Sequence, residues 1–320
     1  MNRSSTAGIR NAGHVIAGRY GVERVLGRGG MGCVYAVVDA TSGRELALKQ
    51  LATDADATVR ALFEREYRTL ASLRHRSIVE VYEYGTTNEG PFYTMELLEG
   101  SDLSRTAPVP WRSVCACLRD VASVLGVLHA RRLVHRDLSP RNLWRCKDGR
   151  LILIDFGSLA EFGRSDTLVG TPSLVAPEAY RFGELDQRTD LFALGALGYW
   201  MCTGAHAFAS QSFRELAELH AHPPPAPSRL LAASAPEATE PIPHALDDLL
   251  LALLRPDPRD RPQDIEELID RLHALTDLEP EENKALARGY IESKAFVGRE
   301  RERTAIYVGC GDDNTIALYD

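Results

Sequence analysis

The chain has 320 residues, 44% hydrophobic and 26% charged, enough apolar material to bury a sizeable core as one large domain or two lobes. A formal net charge of -8 argues against non-specific attraction to nucleic acid or anionic lipid. No stretch approaches the unbroken apolar length that crosses a bilayer, and the start of the chain lacks an apolar signal core, so a cytoplasmic protein without a membrane span is expected.

Residues 1–17 read as a disordered leader, too polar and too rich in small residues to bury anything. From Tyr20, β-branched and aromatic residues flank a glycine cluster, which predicts strand, glycine turn, strand. Gly27, Gly29 and Gly32 fit G-x-G-x-x-G and are followed by Val34. Glycines let a backbone approach phosphate oxygens, yet the same spacing serves dinucleotide loops, which run on into a helix, and ordinary hairpin turns. Cys33 to Val38 reads as strand, which leaves a nucleotide loop and a plain turn both open.

Glu45 to Leu51 is an apolar strand that encloses Lys49 beside Ala47, Leu48 and Leu51. Such a lysine is either an edge-strand charge facing solvent or a buried cation that needs an anion. The helix expected over Thr58 to Leu73 carries Phe63, Tyr67, Leu70 and Leu73, or alternatively Leu62, Glu66 and Leu70, at helical spacing. Glu66 is then either the partner that makes burial of Lys49 tolerable or a solvated helix residue. Ile78 to Tyr84 and Pro91 to Leu97 are expected as two strands around a turn at Thr86 to Gly90, completing an antiparallel sheet.

Beyond Leu103 the periodicity becomes helical, as in Trp111 to Arg131. The next stretch, V-H-R-D-L-S-P-R-N, should be a loop, because the residue before Pro140 is pushed away from the α region. It holds Asp137 and Asn142 at a fixed separation. Arg150 to Ile154 is a short buried strand ending in Asp155, Phe156 and Gly157. Asp155 can be a simple turn cap, or, with Asn142, one of two hard oxygen ligands for Mg²⁺.

Ser158 to Glu178 is a polar loop carrying Ser165, Thr167, Thr171 and Ser173. Helix is expected over Arg181 to Thr203, a proline- and alanine-rich loop with one short helical turn over Pro223 to Pro243, and amphipathic helices over His244 to Leu254 and Pro262 to Leu275. The six cysteines, Cys33, Cys115, Cys117, Cys146, Cys202 and Cys310, lack paired or zinc-finger spacing and are expected to be reduced structural thiols.

In this order and at these intervals, the motifs resemble the eukaryotic-type (Hanks-type) serine/threonine protein kinases, bacterial members included, over about Tyr20 to Leu275. The resemblance implies an α+β, two-lobed fold: a small antiparallel sheet with one helix over residues 18–98, a larger helical lobe over 99–277, and a tail over 278–320. It also implies a Mg²⁺-dependent (or Mn²⁺-dependent) transfer of the ATP γ-phosphate to serine or threonine hydroxyls of protein substrates. The loop of Gly27, Gly29 and Gly32 would cover the phosphates, Lys49 would hold them and Glu66 would anchor Lys49. Leu26, Val34, Ala47 and Leu143 would join the cofactor-binding residues, with Met95 to Leu98, Glu96 included, as gatekeeper and adenine-binding hinge. Asp137 would be the catalytic base, and Asn142 and Asp155 would hold the metal. Glu178 of Ala-Pro-Glu would pair with Arg261, and Asp190 matches the family's core-helix aspartate.

Arg136, beside the catalytic aspartate, implies activation by phosphate on Ser165 or Thr167, and Thr171 joins them as a regulatory hydroxyl. Two positions depart from the family pattern. Ser139 stands where most serine/threonine kinases carry a lysine, which leaves Arg141 or the metal to supply the missing cation. Leu174 stands where an aromatic residue is usual. A nucleotide-binding pseudokinase scaffold is the alternative. The tail segment A-F-V-G-R-E-R-E-R resembles the opening of a fused AAA-type ATPase module, although no G-x-x-x-x-G-K-[ST] follows it.

Overall fold

Between Val15 and Met95, short runs rich in valine, tyrosine and leucine build a sheet around one helix. The structure is a computed structural model, and it describes residues 13–29, 32–210, 212–234 and 240–276. Strands β1 (Val15–Ile16), β2 (Tyr20–Gly29), β3 (Gly32–Asp39) and β4 (Glu45–Leu51) precede helix α1 (Ala57–Ser72), and β5 (Val81–Thr87) and β6 (Gly90–Met95) follow it. They form one antiparallel sheet in the order β1-β2-β3-β4-β6-β5. Because side chains alternate across a strand, Leu46 and Leu48 join Tyr20, Val37 and Phe92 on one face, while Leu51 joins Phe63 and Tyr93 on the other.

The disordered leader expected over residues 1–17 is overturned at its end. Val15–Ile16 pairs with Gly21 and Tyr20, and Ile16 is completely buried. A neighbouring strand is enough to bury Ile16, whatever the mean composition around it, while Val15 on the opposite face stays 50% exposed. Residues 1–12 lie outside the described set, as do the tail expected over 278–320 and Cys310.

Helix α1 starts where the Asp56 carboxylate accepts the Val59 N–H at 2.9 Å. Its inward face is Phe63, Glu66 and Leu70, whereas Leu62 stays 39% exposed, which decides between the two apolar stripes in the sequence. Strand β5 starts three residues after its expected start, and β6 starts one residue before its own. Ile78 is instead drawn to a parallel bridge with Leu153, and Leu153 N–H donates to the Ser77 carbonyl at 2.8 Å.

The remainder is chiefly helical, and with the sheet it makes a two-lobed α+β fold. In chain order come β7 (Gly100–Asp102), α2 (Trp111–His129), β8 (Leu133–Val134), β9 (Leu143–Cys146), β10 (Leu151–Leu153), β11 (Ala160–Glu161) and β12 (Gly163–Arg164). They are followed by α3 (Pro177–Tyr180), β13 (Glu184–Leu185), α4 (Gln187–Thr203), α5 (Leu216–Leu219), α6 (Pro227–Ser234), α7 (His244–Leu253) and α8 (Ile265–Leu275). No described helix is long and apolar enough to cross a membrane.

Helices α2 and α4 are buried over most of their lengths and form the centre of this half. A Cβ on Gly195 would lie 2.5 Å from Leu253 Cβ, and one on Gly198 would lie 2.7 Å from Leu250 Cδ2, so the two glycines let α7 pack against α4. The described cysteines, Cys33, Cys115, Cys117, Cys146 and Cys202, are free and buried.

Two expectations need correction here. Arg181 to Thr203 is not one helix, because Phe182 takes a left-handed backbone (φ 54°), β13 intervenes, and Asp186 then caps α4 by accepting the Arg188 N–H at 2.8 Å. The proline-rich stretch holds a helix of eight residues, α6, whose Ser228 N–H donates to the Asp247 carboxylate at 2.9 Å.

Candidate active site

Register places the first group of residues. Lys49 faces Val34 on β3 and Tyr93 on β6, and its side chain points toward α1. There its Nζ meets both carboxylate oxygens of Glu66, at 2.7 and 2.8 Å. Glu66 is 2% exposed, so its charge is satisfied almost wholly from within the chain. Tyr93 Oη donates to the same carboxylate at 3.1 Å, and burial together with the Glu66 charge pushes that phenol well above its usual pKa. Of the two readings of Lys49, the one observed is a cation with an anionic partner, and Lys49 itself is half-buried while Glu66 is buried. Tyr93 carries no signal in the sequence, because its place opposite Lys49 depends on the β4–β6 register.

The strand carrying Gly27 lies beyond β3 from this pair, with Gly27 opposite Val34 and Val34 opposite Lys49. A Cβ on Gly32 would fall 2.0 Å from the Gln50 carbonyl oxygen, so β3 can lie against β4 there only with glycine. At Gly27 and Gly29 a Cβ would meet no atom of the described residues within 4 Å. Packing among the described residues does not require glycine at those two positions, whereas close approach of a phosphate to the backbone would.

Met95 ends β6 opposite Ala47 and Val81, and the Glu96 N–H donates to the Glu80 carbonyl at 2.9 Å. Ala47 and Leu143 are buried, Val34, Met95, Glu96 and Leu98 are half-buried, and Leu26 is 38% exposed. Outside the hinge, Arg150 Nη2 donates to Glu96 Oε1 at 2.7 Å.

The loop after β8 holds the second group. Ser139 is extended (φ -142°, ψ 157°), as expected before a proline, and Pro140–Asn142 forms a single 3₁₀ turn. That turn lets Asn142 Nδ2 donate to the Asp137 carbonyl at 2.9 Å and to Asp137 Oδ2 at 3.1 Å. Burial raises the Asp137 carboxyl above its usual range, and the nearby Asp155 charge adds to this, against the opposing pull of His135, Asn142 and the Thr171 N–H.

The loop is anchored from below by Asp190. Its completely buried carboxylate accepts the His135 N–H at 2.9 Å and the Arg136 N–H at 3.0 Å, and contacts His129 Nε2 at 2.9 Å. Burial alone would raise Asp190, but these partners outweigh it and hold the carboxyl below its usual range. The same contacts fix Arg136 in a left-handed conformation (φ 68°) that a non-glycine residue seldom adopts.

Asp155 joins the two groups. The Ile154 N–H donates to the Asn142 carbonyl at 3.0 Å, which extends the β9–β10 ladder and sets Asp155 beside Asn142. A Cβ on Gly157 would lie 3.3 Å from Asp155 Oδ1 and 3.8 Å from Glu66 Oε2, so both carboxylates converge on that glycine. Asp155 Oδ1 also accepts the Gly157 N–H at 3.0 Å, so the turn-cap role is real alongside any other. Phe156, 1% exposed, packs edge-on against the His135 ring at 5.4 Å.

These residues fit a nucleoside triphosphate and a divalent ion. Asn142 spends its N–H donors on Asp137, which leaves its amide oxygen as the acceptor. With the Asp155 carboxylate, that is a hard oxygen pair of the kind Mg²⁺ takes.

In the segment after Gly157, Arg136 Nη1 reaches Ser165 Oγ at 2.7 Å and Thr167 Oγ1 at 3.2 Å, and Arg136 Nε reaches the Ser158 carbonyl at 2.6 Å. Gly170 (φ 103°) has no room for a side chain, since a Cβ would lie 2.7 Å from the Arg136 carbonyl oxygen. This close approach brings Thr171 against Asp137. Leu174, 3% exposed, packs with Phe192 and Phe208. Glu178 and Arg261 form a two-pronged buried pair at 2.8 and 2.9 Å.

A protein-family model described as "Protein kinase domain" matches residues 20–272. Similar curated proteins include the DNA damage-responsive serine/threonine-protein kinase RqkA of Deinococcus radiodurans, 35% identical over 71% of this chain and 36% of its own length. The serine/threonine-protein kinase pkn2 of Myxococcus xanthus is 32% identical over 81% of this chain and 33% of its own. PknL of Mycobacterium tuberculosis, also a serine/threonine-protein kinase, is 32% identical over 76% of this chain and 62% of its own. The matched region thus spans between a third and two thirds of these relatives.

Proposed function

The chain belongs to the protein kinase family, and from that premise we propose that it transfers the γ-phosphate of ATP to serine and threonine hydroxyls of proteins, its own Ser158 to Ser173 segment among them. The Lys49–Glu66 pair at 2.7 Å carries this reading. A buried carboxylate that holds a lysine at the cleft beneath the glycine turn serves a phosphate-binding cation, and a fold needing only stability would do as well with apolar residues there.

In this reading Lys49 neutralises the α- and β-phosphates, with the Gly27, Gly29 and Gly32 backbone over them, and the Met95 to Leu98 hinge receives the adenine. Asn142 and Asp155 would hold Mg²⁺, which when bound offsets the phosphate charge. Asp137, with one oxygen fixed by Asn142, orients the incoming hydroxyl and accepts its proton. The raised affinity of this carboxyl for protons suits it to that role. The serine/threonine preference rests on Pro140, the Gly170 to Pro172 motif and the relatives' names.

Incubation with labelled ATP, Mg²⁺ and a generic protein substrate, beside Asp137→Asn, tests the proposal. Label on the substrate from the wild type and not from the variant supports it. Nucleotide binding without any transfer by the wild type would favour the pseudokinase scaffold, the reading to which Ser139 lends weight.

A further inference from the structure

The end of the Ser158 to Glu178 segment is held at two places by the chain that follows α4. Ser173 is buried in the 3₁₀ turn Pro172–Leu174, and its hydroxyl lies against the backbone of Ser210, 37 residues further on. Ser173 Oγ donates to the Ser210 carbonyl at 2.9 Å and accepts the Ser210 N–H at 3.2 Å. A hydroxyl does both at once, whereas alanine does neither and a carboxylate cannot donate. The Ser210 side chain carries the link onward, its Oγ donating to Glu215 Oε2 at 2.7 Å just before α5.

Tyr180, the last residue of α3, closes the other end. Its Oη lies 3.1 Å from Nδ1 of His220, a buried side chain that directly follows α5. The His220 ring stands edge-on to Phe208 at 4.2 Å and to Phe192 at 5.3 Å. Burial, with Arg181 and Arg261 nearby, brings His220 down to about 4, so its ring is neutral near pH 7 and can accept the phenol proton. Between the two links Leu174 packs with Phe192 and Phe208. Leu174 stands where an aromatic residue is usual and has no polar side-chain atom, so the polar links on either side of it come from Ser173 and Tyr180.

This clasped stretch adjoins Asp137. The Thr171 N–H donates to the Asp137 carboxylate, and a Cβ on Gly170 would lie 3.7 Å from Asp137 Oδ1. The Leu174 N–H donates in turn to the Thr171 carbonyl at 2.9 Å, which ties Thr171 to the turn that carries Ser173. A hydroxyl presented to Asp137 therefore comes to rest against this segment. Ser173 and Tyr180 themselves spend their hydroxyls on Ser210 and His220 rather than on Asp137, Asn142 or Asp155.

We infer that Ser173 and Tyr180 are positioning residues, which fasten the segment after Gly170 to the 208–220 stretch and so shape the surface that receives a protein substrate. The inference rests on the kinase reading and adds to it the residues that hold the substrate-bearing surface. Loss of a contact that serves only this surface acts on the KM for the protein substrate and leaves ATP binding alone.

The test uses the full chain with a generic protein substrate and ATP, each varied in turn. Ser173→Ala and Tyr180→Phe should each raise KM for the protein substrate, the first about tenfold because two hydrogen bonds go, with kcat and the KM for ATP within about twofold of wild type. Should Ser173→Ala not fold, Tyr180→Phe decides alone. Hydrogen exchange gives a readout free of turnover: the amides of Leu174, Val175 and Ser210 should exchange faster in Ser173→Ala than in the wild type, and those of α4 should not. An unchanged substrate KM, a loss spread over kcat and both KM values, or equal exchange overturns the inference while leaving the kinase reading intact. Failure of the wild type to label any protein, its own chain included, removes the kinase reading, and the substrate-bearing role with it.

Discussion

Arg136 Nη1 stands 2.7 Å from Ser165 Oγ, so the arginine beside Asp137, the proposed catalytic base, already reaches into the segment that would carry a regulatory phosphate. A phosphate on Ser165 or Thr167 would replace the arginine's hydrogen bonds to neutral hydroxyls by ion-paired ones, and hydrogen bonds to charged groups are worth roughly 1.5–3 kcal/mol. We expect mass spectrometry after ATP incubation to find phosphate between Ser158 and Ser173, and the double substitution Ser165→Ala with Thr167→Ala to lower activity about tenfold or more. A segment that stays unmodified, or a double variant as active as the wild type, would show that these hydroxyls are ordinary loop residues.

Lys49→Met should abolish transfer and also lower thermal stability, because it leaves the Glu66 carboxylate, 2% exposed, without its cation. Breaking a buried pair in this way costs about 3–5 kcal/mol. Tyr93→Phe removes only one neutral donor to that carboxylate and should cost about 1–2 kcal/mol while preserving activity. Thermal melts of the two variants check the order, and equal losses would mean that the ion pair is not what holds Glu66.

At position 139 a serine that is 5% exposed replaces the usual lysine. Ser139→Lys should raise kcat by restoring a cation near the transferred phosphate. Unchanged or lower turnover in the variant, measured on folded protein, would rule out the missing-cation account.

Asp137 must be ionised to accept a proton, and burial raises its pKa above the ordinary aspartate value of about 3.9. The acid limb of kcat/KM should therefore fall at a higher pH than an exposed aspartate would give. Asn142→Ala removes a hydrogen bond that favours the charged form, so in that variant the limb should move to still higher pH. An acid limb at the ordinary carboxylate value in the wild type would argue against Asp137 as the titrating base.

Several residues could be singled out without any coordinates. The spacing of Gly27, Gly29, Gly32, Lys49, Asp137, Asn142 and Asp155 marks the family, and the strand β4 and the start of α2 follow from local period and composition. Helix and strand preferences arise within a few residues, so a linear reading can find them. Where alternatives stood open, contacts between distant segments closed them. Lys49 is a paired, half-buried cation only because Glu66 lies on the inward face of α1. Asp155 meets the Glu66 side of the cleft only because β10 pairs with β9. The short β1 and the break between α3 and α4 depend likewise on strands they pair with elsewhere in the chain. Composition therefore determined the kinds of element and the chemical groups available, and tertiary packing decided which of those groups face one another.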